Sequence, residues 1–183
     1  AAATSADANY NGIDPDDVSV TNTDNDSAGI TVNPTSGLVT TEAGDTATFT
    51  VVLDTQPSAD VSIALSSSDT SEGTVAPASL TFTAANWNIL QTVTVTGVDD
   101  NEVDGDVAYE IVTAAATSAD ATYNGVDPDD VSVANTDNDT AGILLAATNG
   151  SLVTSELGDS DTFTIALATM PGADVTLPIT STD

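Results

Sequence analysis

The chain predicts an all-β fold: immunoglobulin-like seven-stranded β-sandwich domains in tandem. Three observations carry that expectation. Segments rich in Val, Ile, Thr and Phe alternate apolar and polar residues with a period of two. No segment keeps a helical period. A long block of sequence occurs twice in 183 residues.

The strands follow in order. The first is split, over residues 29–32 (GITV) and 37–41 (GLVTT). Residues 45–53 (DTATFTVVL) bring Phe49, Val51 and Leu53 to the core, and residues 60–67 (DVSIALSS) bring Ile63 and Leu65. Residues 79–83 (SLTFT) supply Leu80 and Phe82; residues 88–98 (NILQTVTVTGV) supply Val93 and Val95. Residues 107–115 (VAYEIVTAA) add Tyr109 and Ile111, and residues 130–135 (DVSVAN) close the unit. Seven short strands over about 100 residues fit a sandwich of this kind.

The repeat sets the boundaries. Residues 1–30 return as residues 114–143 with 26 of 30 positions identical. A looser match then pairs 37–69 with 150–183. One unit is therefore about 113 residues, an ordinary domain size. Residues 29–139 form one complete sandwich. Residues 1–28 are the C-terminal part of a preceding repeat, and 140–183 the N-terminal part of a following one. Counterparts of residues 70–113 are missing from both flanks, and half a sandwich cannot bury its apolar face. The expectation is a slice of a longer tandem array.

Composition narrows the function. There are 29 acids and no Lys, Arg, His or Cys, for a net charge of −29. Ion pairs are impossible except through a terminus. Disulfides, zinc sites and cysteine or histidine catalysis are excluded. Phosphate backbones would be repelled, so no nucleic-acid partner is expected. No apolar run approaches the ~18 residues of a membrane span. Acid-rich, aromatic-poor chains often stay disordered. Here 40% hydrophobic residues and long alternating segments argue instead for a fold whose counter-charges are metal ions. Carboxylate-pair chemistry of the glycosidase type is the one catalytic option left. These acids gather between domains rather than in an aromatic-lined cleft, so no enzyme is expected.

Successive strands run in roughly opposite directions. The loops after the first, third and fifth strands, and the tail after the seventh, therefore meet at one pole. Those segments are 41–45 (TEAGD), 67–73 (SSDTSEG), 99–106 (DDNEVDGD) and 135–139 (NTDND), and all are acidic. Calcium takes six to eight hard oxygens from carboxylates, carbonyls and water. The candidate metal ligands are Glu42, Asp69, Asp99, Asp100, Glu102, Asp104, Asp106, Asp137 and Asp139, with Glu72 at the same pole. Any one loop reads as an ordinary solvated turn. Four such loops at one pole, with no basic residue available, point to Ca2+.

Glu42 after the first strand, the Asp99–Asp100 pair with Glu102, and the terminal TDND leading into AGI resemble a Calx-beta domain. The resemblance spans 29–139 and recurs in both flanks. That family is repeated in long bacterial extracellular, adhesin-like proteins and occurs in sodium–calcium exchangers. The resemblance implies a seven-stranded sandwich binding calcium near its end, with Glu42, Asp99, Asp100, Asp137 and Asp139 carrying over best. Asn138 stands where the family often has a third Asp. The implied function is a structural repeat of a secreted, calcium-stiffened extracellular fibre, filament or adhesin stalk. Its partners are adjacent repeats of the same chain and identical chains in a filament or matrix. The alternative is a binding module for a glycan, a cell surface or a neighbouring filament.

Smaller motifs have plainer readings. Alternating Thr in 46–50 and 92–97 is the solvent face of a strand. Trp87 packs the domain junction or the opposite, lower pole, where segments 54–60, 84–87 and 117–130 gather. Tyr10 and Tyr123, each before Asn-Gly, pin a long loop or touch the preceding domain. The glycosylation patterns at Asn25, Asn138 and Asn149 are chance matches, two of them inside the proposed ion sites.

Overall fold

A computed structural model of the chain describes residues 1–148 and 150–182. Asn149 and Asp183, a front-end acid of the third segment, lie outside the described residues. The described residues contain no helix, and so none long and apolar enough to cross a membrane.

The central unit is a sandwich of two sheets. Its strands are β1 (Ile30–Asn33), β2 (Leu38–Thr41), β3 (Thr46–Leu53), β4 (Val61–Ser67), β5 (Gly73–Ala76), β6 (Ser79–Phe82), β7 (Gln91–Gly97), β8 (Val107–Thr113), β9 (Thr117–Ser118) and β10 (Val131–Thr136). One sheet has the order β1-β3-β7-β5. The other runs β2-β10-β8-β4-β6, with β9 also on β4. The split in the first strand is a change of sheet. β1 pairs antiparallel with β3, whereas β2 crosses over and pairs in parallel with β10. Gly37, at φ 78°, makes the crossing; that left-handed backbone suits glycine.

All seven expected strands are present. Two more were not foreseen. β5 carries a single half-buried apolar residue, Val75, and β9 is two residues long, so neither displays a period. The expected core is buried in full: Phe49, Val51, Leu53, Ile63, Leu65, Leu80, Phe82, Val93, Val95, Tyr109 and Ile111. Val61, Ala116, Tyr123, Val131 and Val133 join it, and Trp87 packs on its margin. Strict in–out alternation, as in β4, is the mark of a strand with one dry face.

The flanks act as an internal control on what burial requires. Val131, Val133 and Tyr123 are buried in the sandwich; their counterparts Val18, Val20 and Tyr10 are exposed. Nearly the same words are used, but among the described residues no strand pairs with residues 18–23. Beyond the sandwich, β11 (Ile143–Ala147) and β12 (Phe163–Leu167) form a hairpin.

Tyr123 fastens the lower pole. Its hydroxyl donates to the Thr55 carbonyl at 2.6 Å and accepts the Thr55 N–H at 3.0 Å. Asp120 braces the same loop through Ser58 N–H (2.7 Å) and the Thr122 hydroxyl (2.7 Å). Tyr123→Phe leaves half-buried backbone groups of Thr55 short of a partner. We expect a loss of about 1–3 kcal/mol by denaturant melting. Calcium affinity, set at the other pole, should not change.

Candidate metal centre

Charge is segregated to the ends of the sandwich. Of 18 acids within residues 29–139, only Glu110 lies in a strand. The one ion pair among the described residues joins the N-terminal ammonium to Asp14, far from the core sequence. The acids of the pole therefore have no basic partner.

The β2–β10 ladder carries two acidic segments into the pole together. Past the last ladder pair, Glu42 N–H donates to the Thr136 carbonyl at 3.2 Å. The buried Glu42 carboxylate accepts the Asn138 N–H at 2.8 Å. Asp137 then ties the tail to the loop after β7. It accepts Gly105 N–H at 2.9 Å and Asp139 N–H at 2.6 Å. Within that loop Asp100 accepts the Glu102 N–H at 2.7 Å, and the Asn138 side-chain amide donates to Asp99 at 3.3 Å. The upstream copy of the tail keeps the same local turn, with Asp26 N–H on Asp24 at 3.0 Å.

Two clusters result. Glu42, Asp100 and Asp139 bring carboxylate oxygens within 4.8 Å of one another. So do Glu72, Asp100 and Asp104. Asp100 belongs to both. Two ligands on opposite sides of one calcium ion stand roughly 5 Å apart, twice the usual ion–oxygen distance. Each cluster therefore has the span of a single ion. The donor set is all oxygen and all hard, and suits calcium rather than a soft metal. One atom has no other explanation within the protein. Asp139 Oδ2 is fully buried and has no hydrogen-bond partner. An orphaned carboxylate oxygen aimed among other carboxylates is costly without a cation.

The other nominated acids are placed differently. Asp99 and Asp137 border the first cluster and hold the loops. Asp69 turns back on its own segment, accepting the Ser71 N–H at 3.0 Å and the Ser71 hydroxyl. Glu102 and Asp106 are exposed and belong to neither cluster. Glu72, not among the nominated ligands, is buried and central to the second cluster. Its signal in the sequence was only its position in SSDTSEG, where a Glu looks like any solvated turn residue.

Proton affinities follow the crowding. Glu42 is pulled down by the Asn138 N–H, the largest single influence. Burial and the charges of Asp137, Asp100 and Asp139 together outweigh it, and its pKa is raised. Burial, the largest influence, outweighs the lowering bond from the Asn135 amide and, with Asp104, Asp69 and Asp100, raises Glu72. Burial, then Asp137, Asp99 and Asp100, raises Asp139. Conversely, the Asp139 and Gly105 N–H groups lower Asp137, the Ser71 hydroxyl lowers Asp69, and the Thr122 hydroxyl lowers Asp120. The sign for stability is then fixed. Where Glu42, Glu72 and Asp139 are raised, the ion-free folded state holds more protons than the unfolded one. Acidification from neutral pH into that window should stabilise ion-free protein. Below the ordinary range of Asp, protonation of Asp69, Asp120 and Asp137 should destabilise it. Melting in chelator across pH 3 to 7 should show a maximum on the acid side.

The same loop meets the β11–β12 hairpin and the residues after it. Met170 N–H donates to the Asn101 carbonyl at 2.7 Å, and Val103 shares an apolar seam with Ile143, Leu167 and Met170.

No family model matches the chain, and no curated protein matches it. Solved structures do. The chain is similar to the apo form of the Calx CBD1 domain at 15% identity and a TM-score of 0.47, over 63% of this chain and 99% of that one. CBD12 from CALX1.2 is similar at 18% identity and 0.46, over 65% of this chain and 47% of that one. SSP-19, an MSP-domain-like protein of Caenorhabditis elegans, is similar at 17% identity and 0.42, over 58% and 99%. At such identities and TM-scores these likenesses carry no argument about what this chain binds.

Proposed function

We propose that the chain is a structural repeat of a secreted extracellular fibre, filament or adhesin stalk, stiffened by calcium where one sandwich meets the next. It works beside adjacent repeats of the same array and is not a catalyst. The observation that carries this reading is the buried, unpartnered Asp139 Oδ2 among Glu42 and Asp100. Asp137 and Asp99 complete the surroundings of the first ion; Glu72 and Asp104 hold a second. Bound calcium supplies the positive charge that the chain lacks.

The loop after β7 gives calcium a mechanical consequence. It carries Asp99, Asp100 and Asp104, and also the Asn101 carbonyl and Val103 that face the next unit. Fixing the loop fixes the seam. Extracellular calcium modules commonly have dissociation constants near 10⁻⁴–10⁻³ M. Such an array would be loose in calcium-poor cytosol and stiff outside the cell.

Small-angle scattering of the chain in millimolar calcium and in chelator tests this. We expect a broader distribution of dimensions in chelator. Superimposable profiles would contradict it.

A further inference from the structure

Beneath the second cluster lies a polar layer that a sandwich of this size does not need. β10 points Val131, Val133 and Asn135 inward, and Asn135 is only 1% exposed. An apolar residue there would continue the core. The amide is instead fully engaged. Its Oδ1 accepts the Thr40 hydroxyl at 3.0 Å. Its Nδ2 donates to the Val98 carbonyl at 3.0 Å and to Glu72 Oε2 at 3.4 Å. Thr40 Oγ1 also lies 3.2 Å from the Tyr109 hydroxyl.

Space for this layer is made by two glycines. A Cβ on Gly97 would stand 2.6 Å from Asn135 Oδ1 and 2.2 Å from the Thr41 carbonyl. One on Gly73 would stand 2.1 Å from the Tyr109 hydroxyl oxygen. Burying an amide in a sheet costs free energy unless every bond is made. Here the bonds are made to the groups that build the pole. Val98 is the root of the loop carrying Asp100 and Asp104. Glu72 is the third acid of that cluster.

We propose that Asn135 is a positioning residue for a calcium ion held by Glu72, Asp100 and Asp104. It stands behind the ligands: Nδ2 can only donate, and Oδ1 accepts the Thr40 hydroxyl beside Gly97. It holds one oxygen of Glu72 and the first carbonyl of the loop in fixed relation, so the three carboxylates converge before the ion arrives. This inference rests on the calcium reading above and adds a residue that acts through Glu72. Partners behind metal ligands typically change affinity by about 10–100-fold when removed.

The test is a calorimetric calcium titration of the full chain and of Asn135→Leu, Glu72→Gln and the double variant, with melting of each in chelator. In Asn135→Leu the binding step that needs Glu72 should weaken roughly 10–100-fold. The step that uses Glu42 and Asp139 should weaken far less, because it shares only Asp100 with the second cluster. In the Glu72→Gln background Asn135→Leu should have a much smaller further effect on affinity, from the Val98 bond alone. A plug with a purely structural role would lower the melting temperature and leave the affinities alone; that result would overturn the proposal. So would an equal loss in the Glu72→Gln background. If Asn135→Leu does not fold in chelator, Asn135→Asp keeps the shape and the Thr40 bond but replaces the donor by an acceptor. It should show the same selective loss, and wild-type affinity in it would overturn the proposal. Failure of the wild-type chain to take up calcium would sink the calcium reading itself, and this inference with it.

Discussion

In chelator the chain should melt about 10 °C lower than in calcium at ten times the dissociation constant. The size follows from linkage. An ion that binds only the folded state at tenfold excess contributes about 1.4 kcal/mol, so two ions contribute about 3. For a domain near 100 residues each kcal/mol moves the midpoint by roughly 4 °C or more. The ion-free state also bears repulsion between carboxylates a few ångströms apart, about 1–4 kcal/mol per pair before screening. Sodium chloride in chelator should therefore recover part of the loss, because it screens exposed charges. It should not recover all of it, because Glu42 and Glu72 are buried and Asp139 Oδ2 is withdrawn from solvent. Differential scanning calorimetry in calcium, in chelator and in chelator with salt separates the two contributions. Identical melting in calcium and chelator would contradict the account.

Asp100→Asn should have the largest effect of any single substitution at the pole. It alone contributes to both clusters. Asparagine keeps the oxygen that accepts the Glu102 N–H but removes the charge. Both calcium steps should weaken by about 100-fold or more, and the rise in melting temperature on adding calcium should nearly vanish. The ion-free protein should move the other way. With one like charge fewer beside Glu42, Glu72, Asp104 and Asp139, it should melt slightly higher than wild type in chelator. That opposite sign distinguishes a ligand from a residue needed merely for folding. Asp106→Asn, on the exposed part of the same loop, is the matched control and should leave calcium binding unchanged.

Much of this fold could be read from residue order because each long strand has one dry face. Phe49, Val51 and Leu53 on β3, or Val93 and Val95 on β7, repeat at every second position, and that is what burial on one side demands. β5 was hidden because it is an edge strand whose one packed apolar side chain, Val75, shows no period. The parallel β2–β10 pairing was hidden too, since alternation reports faces and not neighbours. The pole was legible through strand direction alone: reversing strands must return their acidic loops to one end. Which acid does what was not. Asp104 and Asp106 are two residues apart in one exposed loop, and only the course of the backbone brings one carboxylate to Glu72 and Asp100 and leaves the other apart. Glu72 meets, where it is buried, an amide 63 residues away, Asn135, which no local pattern connects to it.

The central claim is that bound calcium supplies the positive charge missing from this chain. A crystal structure grown in calcium, with anomalous data collected to identify the ion, tests it most directly. The account predicts an ion about 2.3–2.6 Å from carboxylate oxygens of Glu42, Asp100 and Asp139, and a second among Glu72, Asp100 and Asp104. Loops that splay into solvent in millimolar calcium, with no ion between them, would contradict it.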